Sequence, residues 1–192
     1  MATISATRNV PALPSSIIQR LFTDRRMALL WLPVRVWLGW QWLDAGSHKI
    51  TEAAWMNGGV ALKGFWTSAV AMPEGGRPPI AFDWYRSFLQ TMLDMEAYTW
   101  FAKLVAIGEV MIGIGLIVGA FVGVAAFFGA FLNWNFMMAG SASTNPLLYV
   151  VGIALVLAWR VSGYIGLDYI LFNAQRIRNL IATRREKRLT SA

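Results

Sequence analysis

Arg35, Lys103, Glu109 and Arg160 stand inside stretches that are otherwise apolar over the thickness of a membrane. An ionisable side chain in hydrocarbon is costly enough to call for a partner or a function. The chemistry open to these groups is ion pairing, hydrogen bonding to the polar head of a ligand, or proton exchange. Asn133 and Asn135 add neutral hydrogen-bonding groups in a further apolar stretch. Cysteine is absent, which excludes disulfides, thiolate zinc, iron–sulfur ligation and c-type haem from this chain. His48 is the only histidine, so a single copy has no imidazole pair for a haem. No haem, metal or iron–sulfur cluster is therefore expected. Electrons passing through such a protein would travel on a bound organic molecule or a partner subunit.

The elements that must position these residues are helices. The 192-residue chain is 57% hydrophobic and only 14% charged, with a mean hydropathy of +0.50, a composition that suits one polytopic membrane domain. The expected architecture is all-α, an integral membrane four-helix bundle with spans at about 27–46, 100–119, 121–140 and 146–163. At 1.5 Å per residue each is close to the length that crosses a roughly 30 Å hydrocarbon layer. Pro33 is a candidate kink in the first. The short connections after the second and third spans place sequential neighbours antiparallel.

The chain divides into a segment 1–26, a membrane domain 27–172 and a basic tail 173–192. Arg8, Arg20, Arg25 and Arg26 precede the first span, and Arg176, Arg178, Arg184, Arg185, Lys187 and Arg188 follow the last. By the positive-inside bias both termini are expected in the cytoplasm, and the segment 47–98 outside. The net charge of +7 then reads as a topology signal and a contact with anionic lipid rather than nucleic-acid binding. No cleavable signal peptide is expected, because Arg20, Asp24, Arg25 and Arg26 interrupt the place of an apolar core.

The outer segment 47–98 is rich in Trp, Phe, Met and Gly and is expected to hold two interfacial helices. In one, Phe82, Tyr85, Phe88, Leu89 and Met92 recur at helical spacing, with Asp83 as a candidate cap. The other covers Ala54 to Ala71, and Pro73 to Pro79 break the chain between them. Roofing a ligand entrance and simply anchoring the bundle are both open to these helices.

On the first span Arg35, Gly39, Trp42, Gly46 and Lys49 recur at intervals of three and four and share one face, with Asp44 opposite. Arg35 lies roughly 16 Å below Gly46, and Glu109 roughly 13 Å below Trp100 on the next span. These depths predict that Arg35 and Glu109 meet inside the bundle as a hydrogen-bonded pair. A pair that only fixes helix register and a pair at a ligand site are equally compatible with that placement. Asn133 and Asn135 sit at a depth from which at least one can join the pocket. Lys103 and Arg160 lie near span ends, where long side chains reach the headgroups. Asp168, at the cytoplasmic end of the fourth span, can cap the following helix through Tyr169, Ile170 and Leu171 or pair with Arg25 or Arg26, and capping is the more economical reading. Gly115, Gly119 and Gly123 repeat every fourth residue and mark close helix packing, turn chemistry, or both. Trp134, Met137 and Met138 read as packing and interface residues.

The chain resembles the DoxX family. The likeness is carried by Arg35, Gly39, Ala45-Gly46 and Lys49, by Gly108-Glu109 and Leu116 to Gly119, and by Gly163 to Asp168. Asn133 to Pro146, with Ala139-Gly140 and Ser143-Thr144-Asn145-Pro146, and the outer Ala54-Trp55-Met56 and Gly64-Phe65-Trp66 extend it over about Met27 to Phe172. The resemblance implies a four-helix membrane protein akin to the DoxD-like small subunit of thiosulfate:quinone oxidoreductase. That class is associated with quinone reduction and with sulfur or oxidative-stress chemistry. Arg35, Lys49, Glu109, Asn133 and Asp168 are the candidates it carries over, with Gly39, Gly46, Gly115 and Gly119 as structural positions.

The function this implies is a quinone-interacting membrane subunit of an oxidoreductase assembly, in a bacterial or archaeal cytoplasmic membrane, whose protein partner supplies the substrate chemistry. Arg35, Glu109 and Asn133 would hydrogen-bond the quinone head. The rival reading is a non-catalytic accessory subunit docking to a larger respiratory or photosynthetic complex. A transporter is less supported, because neither internal repeats nor paired broken helices are evident.

Overall fold

The computed structural model describes residues 16–171, 173 and 174. The charges expected at Arg8 and along the basic tail from Arg176 to Arg188, and the domain limit at Phe172, lie outside the described residues. Within them the chain is all-helical. A short α1 (Ile17–Thr23) leads to a long α2 (Ala28–Thr51). Then come α3 (Ala53–Met56), α4 (Val60–Val70) and α5 (Asp83–Asp94), followed by α6 (Tyr98–Val118), α7 (Val122–Met138), α8 (Asn145–Leu157) and a short α9 (Trp159–Ser162), and the chain is helical again from Leu167. The four long helices fall on the four apolar stretches of the sequence. α6 alone among the described helices is long and apolar enough to cross a membrane, and α7 and α8 are shorter apolar helices.

Local chemistry sets the boundaries. α6 stops at Gly119, whose left-handed φ of 75° turns its N–H back to the Gly115 carbonyl, and Ala120 N–H follows to the same oxygen. Phe121 is also left-handed, at φ 51°, a strained setting for a side chain. The turn chemistry considered for Gly119 is thus present. α8 opens with Pro146 in its first turn, where the missing N–H costs nothing. The expected helix over Ala54–Ala71 is divided into α3 and α4 by Gly58 and Gly59, at φ 78° and 66°. Asp83 makes no cap hydrogen bond at the start of α5; its carboxylate pairs instead with Arg86 one turn on, at 2.8 Å.

Glycine sets the register between α2 and α6. A methyl at Gly113 would stand 2.6 Å from the Leu43 nitrogen, and one at Gly46 2.7 Å from the Val110 nitrogen. One at Gly39 would meet the Gly113 carbonyl at 3.0 Å. Backbones that approach so closely permit one antiparallel alignment, and any larger residue would separate them. α7 and α8 run antiparallel with Gly152 against Ala126 and Ala130.

The core has two parts. One lies within the bundle around Trp31, Leu38, Trp42, Ile112, Leu116 and Leu155. The other lies beneath α4 and α5 around Leu62, Trp66, Ile80, Tyr85, Leu89 and Tyr98. Outward faces are apolar as well. Leu104, Ile107, Met111, Ile114 and Val118 form an exposed stripe along α6, and Val124, Phe127, Phe128 and Phe131 another along α7. Single exposed apolar residues are ordinary, but stripes of this length on adjoining helices are what a lipid or protein neighbour covers.

Candidate functional site

Arg35, Gly39, Trp42 and Gly46 are buried on one face of α2, with Lys49 half-buried at its end and Asp44 exposed on the other side beside His48. Arg35 and Glu109, both almost wholly buried, do not form the pair expected of them. The Lys49 ammonium donates to Glu109 Oε2 at 2.6 Å. Arg35 points to the opposite end of the bundle, donating from Nη1 to the Ser162 carbonyl at 2.7 Å and from Nη2 to the Ile165 carbonyl at 2.9 Å. The reason is register. Gly46 packs on Val110 rather than level with Trp100, a shift of ten residues or roughly 15 Å along α6. Glu109 is carried up to Lys49, and Arg35 is left beside Gly119 and Gly166.

At the Arg35 end, Asp168 completes a backbone clamp. Its carboxylate accepts from the N–H groups of Phe121 and Val122 at 2.5 and 2.9 Å, and its own N–H donates to the Gly119 carbonyl at 2.8 Å. Asp168 therefore caps the N-terminus of α7 across the fold. The expectation that it caps the helix through Tyr169, Ile170 and Leu171, or pairs with Arg25 or Arg26, is corrected. These bonds satisfy the free amides at the start of α7, place a negative charge at the positive end of its dipole, and hold Phe121 in its strained conformation. Gly119 and Gly166 are in mutual contact here, where a methyl on either would strike the other backbone or the Arg35 guanidinium.

At the Lys49 end the polar groups are incompletely matched. Asn133, 1% exposed, has no hydrogen-bond partner for its amide nitrogen or its oxygen, and the indole nitrogen of Trp42 has none either. The three elements converge. Gly129 on α7 lies against Trp42 Nε1 and Ile112, so Asn133, one turn further along α7, comes level with Glu109, one turn back along antiparallel α6. A buried amide without partners costs about 1–3 kcal/mol, and native folds seldom leave one unless something else meets it. The Trp55 ring, from α3, covers the Lys49 ammonium at 5.1 Å. The ammonium thus meets both a carboxylate and an aromatic face.

Asn135 turns elsewhere. Its side-chain nitrogen donates to the Phe131 carbonyl, and its own carbonyl and side-chain oxygen receive the Tyr85 hydroxyl at 3.1 Å. Burial pushes the Tyr85 phenol up to about 12. Lys103 and Arg160 are exposed. No cluster of histidine, cysteine or acidic residues able to hold a metal occurs among the described residues.

Trp42 is the residue that sequence reasoning placed on the shared face without giving it a polar role. Its spacing with Gly46 and Lys49 carried that signal. Two openings lie at the other end, around Arg25, Arg160 and Trp159, and Asn133 lines neither of them. No protein-family model, no curated protein and no solved structure matches the chain.

Proposed function

We propose that this chain is a DoxX-like, four-span membrane subunit of an oxidoreductase assembly that holds a quinone at the Lys49, Glu109 and Asn133 site. Its spans are α2, α6, α7 and α8 with α9, in a bacterial or archaeal cytoplasmic membrane. α3, α4 and α5 lie on the outer face, and both termini are in the cytoplasm. The apolar stripes on the outward faces of α6 and α7 and the burial of Arg35 and Glu109 inside the bundle support a membrane-embedded reading.

The observation that carries the ligand reading is the amide of Asn133, sealed from solvent with both polar atoms unmatched, level with the ion pair of half-buried Lys49 and buried Glu109. A quinone fits this donor set. Its carbonyl oxygens accept from an amide or an indole N–H, and its reduced form donates to an amide oxygen. Trp42 and Asn133 orient the head, while Lys49 and Glu109 provide a charged donor and acceptor in a dry setting, where such contacts are strongest. When bound, quinone supplies acceptance of two electrons and two protons. The substrate chemistry belongs to a protein partner. Arg35, held by backbone carbonyls, is removed from the ligand set and assigned to fold integrity. Asn133 is buried, so access requires a gap between α7 and α2, or movement of the roof formed by α3 and α4.

Organic extraction of the purified protein tests the reading. Quinone should co-extract with the native chain and be lost from Asn133→Leu, Lys49→Met and Glu109→Gln. Absence of quinone from the native protein, or retention indifferent to all three changes, would overturn it. A second reading, an accessory subunit docking to a larger complex, is favoured by one feature. Phe127, Phe131 and Trp134 stack in series along α7, the pairs 6.5 and 6.1 Å apart, and Phe127 and Phe131 are about half exposed. Mild-detergent purification that yields stoichiometric partners, but no quinone, would select it.

A further inference from the structure

We propose that the Arg35 end of the bundle carries a binding site for one anionic phospholipid, with its phosphate between Arg25 and Arg160 and an acyl chain in the groove between α7 and α8. A cavity of about 380 Å³ opens there between the end of α1, α9 and the segment that follows α9, and both arginines line it. Each guanidinium is already positioned by an aromatic face, Arg25 over Tyr164 at 5.3 Å and Arg160 over Trp159 at 5.1 Å. Stacking fixes the plane of a guanidinium and leaves its edge donors free for a phosphate. Among the described residues neither arginine forms an ion pair. The one carboxylate lining the cavity, that of Asp168, has both oxygens occupied by the amides of Phe121 and Val122. The cavity is therefore a cationic pocket whose acidic member is already engaged.

A second opening of about 300 Å³ adjoins it, sharing Trp159 and Asp168 and otherwise walled by the apolar Phe121, Gly123, Val124 and Val156. Gly123 makes the groove, since a methyl there would stand 3.0 Å from Trp159 Cβ. A cationic pocket continuous with an apolar trough matches a molecule with an anionic head and a hydrocarbon tail. Free phosphate matches only the pocket, and a quinone only the trough. Trp159, Tyr164 and Tyr169 around the opening are the residue types that settle at headgroup depth. On the membrane topology proposed above, on which this assignment rests, anionic lipid is the expected neighbour of arginines on the cytoplasmic face.

Native mass spectrometry of the full chain in mild detergent tests the assignment, with phosphatidylglycerol, phosphatidylcholine or inorganic phosphate added in parallel. One phosphatidylglycerol should remain bound under conditions that strip phosphatidylcholine. Binding should fall about thirtyfold in Arg25→Gln/Arg160→Gln, from two arginine contacts at the lipid surface. Val124→Trp, an exposed position, should fill the trough and lower lipid retention while sparing both arginines. Equal retention of the two lipids, no loss in either variant, or competition by inorganic phosphate with no preference for the anionic lipid would each overturn the proposal.

Discussion

The two halves of α2 treat a cation in opposite ways. Arg35 gives both terminal nitrogens to main-chain carbonyls of a neighbouring segment, so its partners are part of the scaffold. Lys49 meets a side-chain carboxylate in a neighbourhood where the Asn133 amide and the Trp42 indole nitrogen meet nothing. Unmatched polar atoms occur at both ends, Arg35 Nε and Ser162 Oγ at one, the Asn133 amide and the Trp42 indole nitrogen at the other. What differs is that main chain holds the Arg35 cation, whereas a side-chain carboxylate holds Lys49 near an amide with both polar atoms unmatched. Burial alone does not separate the two, since Arg35 and Glu109 are equally hidden.

Substitutions can break this contrast, and they rank by expected cost. Arg35→Met should be the most destabilising. It strands two buried carbonyls that had charged donors, at a cost of about 3 kcal/mol, to be read as a lowered unfolding midpoint in mixed micelles. A loss no larger than that of Glu109→Gln would end the distinction between the ends. Gly113→Ala, midway between them, should cost about 2 kcal/mol by overpacking against the Leu43 backbone and should disturb both ends together. If only one end responded, the two would not share the helix contact that sets their spacing.

Tyr85→Phe, in the roof over the Lys49 end, should cost about 1 kcal/mol, the worth of one buried hydrogen bond. The same hydroxyl makes a pH prediction. Its ordinary value of 10.0 rises to about 12 in the fold, so the native state holds this proton more tightly than the unfolded chain. The stabilisation is complete below pH 10 and disappears as pH climbs towards 12. Ultraviolet titration of tyrosinate, native chain against Tyr85→Phe, should show one phenol ionising late because burial disfavours its anion; a phenol ionising with the others would mean that the Tyr85 side chain is not buried beneath α5. Asn133→Leu has the smallest expected effect on stability, none or a gain of up to about 1 kcal/mol from removing an unmatched amide, although it should abolish quinone retention. Marked destabilisation would mean that Asn133 is architecture too.

Much of this was legible in the sequence. Apolar runs and short connections gave the long helices, and spacing alone gathered Arg35, Gly39, Trp42, Gly46 and Lys49 on one face. What failed was the height of α6 against α2. Depths measured from the span ends assume that helices begin and stop together, whereas α2 runs on to Thr51 and contact is governed by where backbones can touch. Gly39 and Gly46, seven residues apart, and Gly113 opposite them carried that information. By sequence Gly39 and Gly46 stand only as structural positions, and the packing signal spreads over Gly115, Gly119 and Gly123, with Gly108 and Gly113 just before and turn chemistry left open; Gly119 is a turn, and nothing in the spacing singles out Gly113 as the contact. Asp168 was misread for a related reason. A carboxylate at a helix start looks like a local cap, and no pattern in a single chain shows that the amides it serves lie more than forty residues upstream.

That long reach bears on how the protein is made. The turn between α6 and α7 holds a strained Phe121, secured by a carboxylate that leaves the ribosome only after both helices and α8 have been synthesised. A nascent chain halted before Asp168 thus carries a hairpin whose bend is unfastened, and the stretch around Asp168 works as the latch that closes what was made before it.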